Sequence, residues 1–185
     1  GIAFIDCNNN SVSDVDNHGN VGAGVAIARS ANNTFYNISL HLNGEGLSVS
    51  SSNSFNYMNL SGNAYNLIVY NAENTGNWWA PISPIANSSF NNSYVEGKPI
   101  YFASGVENIT VPQGAGVVLI INSKNVTVEN QSFTRNSQGV LIVDSTNIFM
   151  KNITAYDNMD GILLYNCSAC SLSGINVSNN HYYCR

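Results

Sequence analysis

Charge is scarce in this chain of 185 residues: 9% of it is Asp, Glu, Lys or Arg, where roughly 25% is ordinary for a soluble domain. Six Lys or Arg against eleven Asp or Glu leave a net charge of −5. So few cations cannot form the basic stripe of a nucleic-acid binder or a polybasic membrane-surface anchor. Long apolar runs are missing too. The longest, at 116–121 and 161–165, fall far short of the ~20 residues that span a bilayer, so no direct membrane insertion is expected. Apolar spacing of 3.6 residues and capping boxes are absent, which leaves no window that reads as a helix. No initiator Met and no leader stands before Gly1. The expectation is a chain whose signal peptide has been removed, or a piece of a longer one.

What is present is Asn, about a sixth of the chain, together with 44% apolar residues, enough to exclude a disordered tail. The apolar residues are periodic. Gly followed by an apolar run recurs at Gly1, Gly24, Gly46, Gly116, Gly139 and Gly161. The steps 1 to 24, 24 to 46, 116 to 139 and 139 to 161 each cover roughly 22 residues. Asn66-Leu-Ile-Val-Tyr keeps the strand without the Gly. A second short alternating segment follows in each period, as in Asn125-Val-Thr-Val and Asn147-Ile-Phe-Met. Two or three short strands in each such period predict an all-β parallel β-helix, a single domain over 1–185 with about eight coils. At ~4.8 Å per coil the rod is about 38 Å long. Corner Asn tolerates the left-handed backbone and can bond its neighbours in adjacent coils. The competing reading, an antiparallel sandwich, explains neither the Gly period nor the lack of hairpin signals.

One stretch breaks the period. Both Trp, Trp78 and Trp79, and two of the four Pro lie there, and it reads as a loop leaving the coil over 73–97, with Pro99-Ile-Tyr-Phe resuming the stack. Trp-Trp after an Asn-rich strand, then Val95-Glu-Gly-Lys-Pro-Ile-Tyr-Phe, Asn108-Ile-Thr-Val-Pro-Gln-Gly-Ala-Gly and Asn125-Val-Thr-Val, resembles NosD-type β-helix proteins. That resemblance implies a right-handed β-helix among secreted and surface proteins, abundant in archaea. The family takes its name from a copper-enzyme maturation factor, but most members are extracellular repeats without assigned chemistry.

Sequons give the strongest functional signal. Asn-X-Ser/Thr occurs at Asn9, Asn32, Asn37, Asn59, Asn87, Asn91, Asn108, Asn125, Asn130, Asn152, Asn166 and Asn176, against about five for random placement. Part of the excess is what β-helix corners look like. The rest points to covalent N-glycans on an extracellular or cell-surface protein. The competitor is a carbohydrate-binding or polysaccharide-processing β-helix. Catalysis would need clustered carboxylates, and the eleven acids are spread one or two per coil, with Arg29, Arg135 and Arg185 each solitary. No catalytic residue and no cofactor is therefore assigned. Copper would need His, Met or Cys in one place. His18, His41 and His181 fall in three different coils, and Met58 lies coils away from Met150 and Met159, so no metal cluster is expected. Asp14 and Asp16 ahead of Gly19 make a weak calcium candidate. Trp78 and Trp79 either stack on sugar or are buried by their own loop.

The cysteines bear on assembly. Cys7 is six residues after Gly1 and Cys167 six after Gly161, so both occupy one column. They are about seven coils, or roughly 34 Å, apart within one molecule but ~4.8 Å apart if copies stack head to tail, inside disulfide reach. Cys170 and Cys184 would be a second pair. A local Cys167–Cys170 link, buried thiols, or missing coils of a longer chain are the alternatives. The expected protein is a non-catalytic structural subunit of a surface layer, stalk or filament.

Overall fold

The computed structural model describes residues 1–70 and 85–181, and every named element in them is a β-strand. The chain divides into two compact units, Gly1–Gly97 and Lys98–Arg185. In the first, β1 (Ile2–Ile5), β3 (Ala23–Ala28), β5 (Glu45–Val49) and β7 (Tyr65–Val69) form one parallel sheet. Alternating with them, β2 (Ser11–His18), β4 (Thr34–His41) and β6 (Ser54–Ser61) form another, and β8 (Ser89–Asn91) and β9 (Tyr94–Val95) both pair with β6. The second unit repeats the plan. Its β10 (Lys98–Ser104), β12 (Val117–Ile121), β14 (Gln138–Val143) and β16 (Asp160–Tyr165) make one parallel sheet. Its β11 (Glu107–Thr110), β13 (Lys124–Thr134), β15 (Thr146–Tyr156) and β17 (Ser171–Ser178) make the other. This is the expected right-handed parallel β-helix, and its register is the sequence period: Val15 pairs Ile38, Val25 pairs Leu47 and Leu119 pairs Leu141.

Residues one period apart therefore stack inside. In the first unit Phe35 and Phe55 stack at 5.3 Å and Phe55 and Phe90 at 4.7 Å, with Phe4 edge-on to Phe35 at 5.4 Å. The second unit's columns are mainly aliphatic: Val118 on Val140, Ile120 on Ile142 and Val126 on Ile148, all fully buried, with Phe133 beside Ala155. Each such side chain contributes about 1.5–3 kcal/mol.

Polar columns run beside the apolar ones. The N–H of Asn10 donates to Asn33 Oδ1 and that of Asn33 to Asn53 Oδ1, at 2.8 and 2.9 Å. Asn20, Asn43 and Asn63 repeat this at 3.0 and 2.9 Å, and Asn136, Asn158 and Asn180 at 3.1 and 2.9 Å. Each column satisfies corner N–H groups that no strand can pair. The Nδ2 atoms reach back to carbonyls one rung earlier, as from Asn63 to Leu40 and Asn158 to Phe133. Crowding by this crossing, by neighbouring carbonyls and by core side chains explains the periodic glycines. A Cβ at Gly46 would sit 2.9 Å from Asn63 Nδ2 and 2.5 Å from Asn66 O, and one at Gly139 2.8 Å from Phe133 Cβ.

The loop predicted over 73–97 needs correction at its far end. Residues 73–84, with Trp78 and Trp79, lie outside the described residues, but Ser89, Phe90 and Asn91 are already in the stack beside Ser54, Phe55 and Asn56. Tyr94 and Val95 pair with Asn59 and Leu60, so the coil resumes before Pro99. The long offset from Phe55 to Phe90, one coil plus an insertion, hid Phe90 as the next member of the phenylalanine column.

Candidate functional site: a polar face on the first unit

The outward positions of β2 and β4 form a square. Asp16 pairs with Ser39 and His18 with His41, and the two-residue alternation of a strand puts Asp16 and His18 on one side. The imidazoles of His18 and His41 stack with centroids 4.8 Å and planes 20° apart. Asp16 Oδ1 lies 3.3 Å from His41 Nδ1. One ligand atom from each of Asp16, His18 and His41 lies within 4.8 Å of the others. The expectation that no metal-ligating cluster exists is corrected here: His18 and His41 are in different coils, but those coils are adjacent and the two residues are direct register partners. The signal was their spacing, equal to the step from Gly1 to Gly24. Met58 and Met150 are core residues, as expected of ordinary side chains.

Asp14, the partner of Asp16 in the calcium candidate, does not join this square. It takes a left-handed backbone, φ 58°, and accepts Asn37 Nδ2 at 2.8 Å. Hydrogen bonds from Asn37 and Ser13 hold its carboxyl below the usual carboxylate range. Asp14, Asp16, Asn37, Ser39, Tyr57 and Asn59 line an open depression of about 390 Å³. Tyr36 and Tyr57 meet edge to face at 5.2 Å, each about half exposed.

Arg29 is not solitary. Its Nε and Nη2 clasp the two oxygens of Asp6, one coil earlier, at 2.8 and 2.7 Å. That bidentate bond lowers the Asp6 pKa. Asp157 occupies a left-handed corner, φ 53°, and burial raises the Asp160 pKa, a hydrogen bond from Gln138 partly offsetting it.

The sequon asparagines separate cleanly from the column asparagines. Eleven of the twelve are exposed and Asn125 is half-buried. Asn9, Asn32, Asn37, Asn108, Asn125, Asn130, Asn152 and Asn166 have positive φ, so corner geometry accounts for much of the motif's frequency. Asn59, Asn87, Asn91 and Asn176 do not share that conformation. Among the described residues the buried asparagines are Asn33, Asn43, Asn53, Asn63, Asn66, Asn136 and Asn158, and none of them stands in a sequon.

Cys7, Cys167 and Cys170 are free thiols in this structure, so the local Cys167–Cys170 link is not formed, and Cys184 lies outside the described residues. Cys7 and Cys167 occupy equivalent turns. Cys7 Sγ bonds Ile5 O and Cys167 Sγ bonds Tyr165 O, two residues back, as Ser30 Oγ does with Ala28 O, Ser123 Oγ with Ile121 O and Ser145 Oγ with Val143 O. Each cysteine thus takes the end place in a serine column. Burial raises the Cys167 pKa.

Alternating parallel sheets, one-period registers and stacked columns define a parallel β-solenoid. The family model for a right-handed beta helix region matches residues 82–184, more than half of the chain, and the chain belongs to that family. No curated protein and no solved structure matches it.

Proposed function

We propose that this chain is an N-glycosylated, non-catalytic β-helix of the NosD type that works outside the cell as a structural subunit of a surface layer, stalk or filament. The observation that carries this reading is the partition of asparagine: among the described residues no sequon asparagine is buried and no buried asparagine stands in a sequon. Packing accounts for part of this, since the residues two on from Asn33, Asn53, Asn66 and Asn136 are the buried Phe35, Phe55, Ile68 and Gln138, but it does not require every sequon asparagine to lie open to a glycan. Glycans would also supply the solubility that a charge-poor surface lacks. Non-catalytic use fits carboxylates engaged in holding corners, Asp6 by Arg29 and Asp14 by Asn37. Intact mass of the protein from its native source tests the reading. A mass that falls on deglycosylation to that of the bare polypeptide is expected. A native protein with only the bare-chain mass overturns the reading.

Head-to-tail self-association through Cys7 and Cys167 belongs to the same proposal. Serine-column places one rung apart, ~4.8 Å, suit a disulfide, and a contact that does not close on itself grows a filament. Reductant-sensitive multimers on gels are expected, and loss of those multimers in Cys7→Ser would assign the bond. Binding of a polysaccharide is the second reading, favoured by Tyr36 and Tyr57 beside the depression. Retention on a glycan column that Tyr57→Ala abolishes would select it.

A further inference from the structure

We propose that Asp16, His18 and His41 form a binding site for a divalent zinc-type metal ion, a property independent of the structural role above. The argument starts from what each simpler account leaves over. Stacking explains the two rings and leaves Asp16 aside; the close approach of Asp16 Oδ1 to His41 Nδ1 explains those two and leaves His18 aside. A shared ligand uses all three. Two imidazoles and one carboxylate are the borderline donors that zinc takes, and three protein ligands leave the fourth tetrahedral position open, as in catalytic rather than closed structural sites.

The geometry is within reach. Tetrahedral zinc with bonds of about 2.0–2.1 Å sets its ligand atoms about 3.4 Å apart. Asp16 and His41 are already at 3.3 Å, and every pair is within 4.8 Å. The remaining approach is a rotation of side chains, two of them exposed and that of His41 half-buried. The backbone beneath does not have to move: β2 is registered on β4 from Ser11 to His18, and β4 is held on its other side by β6. Ser39, the fourth corner, is small and neutral and leaves room for water or an oxygen ligand on the metal. The depression lined by Asp14, Asp16, Asn37 and Tyr57 adjoins through Asp16.

Titration of the full chain with Zn²⁺, followed by calorimetry, tests this. One equivalent should bind, and His18→Gln, His41→Gln and Asp16→Asn should each weaken it at least about tenfold. All three side chains are on the surface, so melting curves without zinc should match the parent and show that the variants fold. A chain carrying Cys7→Ser, Cys167→Ser and Cys170→Ser should bind as the parent does. Binding that follows the thiols, binding indifferent to the three substitutions, or no binding at millimolar zinc overturns the site.

Discussion

The two units use one backbone device for different cores. In the first, the rungs that carry Phe35, Phe55 and Phe90 follow one another at uneven offsets, and the centre is a column of phenylalanines. In the second the offsets settle to a constant step from β12 onward, and the centre is mostly Val, Ile and Met around a single buried phenylalanine, Phe133. Asparagine columns and close-approach glycines occur in both. The parallel ladders that hold rung to rung and the polar columns that serve the corners are thus common to both units, and what fills the rung is free to change. The regular unit is the part that the family model covers almost throughout, while the Asp16, His18 and His41 square lies outside the matched residues, on the irregular one.

The largest effect should come from breaking the aromatic column. Phe55 is fully buried between Phe35 and Phe90, so Phe55→Ala is expected to cost about 3–5 kcal/mol. The milder Ile142→Val in the second unit should cost about 0.5–1.5 kcal/mol. Native-state hydrogen exchange reads each unit by its own amides. Protection in β4 and β6 should drop with the first substitution and leave β13 and β15 unchanged. Equal loss in both units would show that they do not open independently, and would break the comparison.

The polar columns should behave alike in the two units. Asn43→Ala and Asn158→Ala each leave an N–H, that of Asn20 or Asn136, without its acceptor, at about 1–3 kcal/mol apiece. The corner Asn152 is exposed with φ 52°, so Asn152→Gly should be close to neutral. Denaturant midpoints for the three variants check this. A costly Asn152→Gly would mean that the outer bond from Asn152 to Asn130 carries more than its exposure suggests.

The fold was legible because a solenoid writes its register into the sequence: the Gly steps predicted the pairing of Val25 with Leu47. The return at Ser89 was not legible, since an insertion of unknown length destroys phase. The square at His18 and His41, and the clasp of Arg29 on Asp6, were legible in principle. Both pairs are separated by one full period, but scanning for clusters along the chain separates residues that the coil brings together. The partition of sequons was beyond sequence, because Asn32 and Asn33 are adjacent and only the backbone decides which one faces out.

Acid should act on the two units in opposite directions, though weakly, since the groups are partly or fully exposed. Asp6 and Asp14 in the first have folded pKa values below the usual carboxylate range. Their contribution is present above that range and is lost as pH falls through the lowered values. Asp160 in the second unit is raised by burial. As pH rises through the usual range the unfolded chain releases this proton first, so stability declines until the folded carboxyl ionises as well. Asp160→Asn should therefore stabilise the protein slightly at neutral pH and do nothing below the carboxylate range. Asp6→Asn should destabilise it at neutral pH and likewise do nothing in acid. Melting curves of both variants at the two pH values give the signs. A stabilisation by Asp160→Asn that persists in acid would place its cause in packing against Gln138 rather than in charge, and would remove the electrostatic contrast between the units.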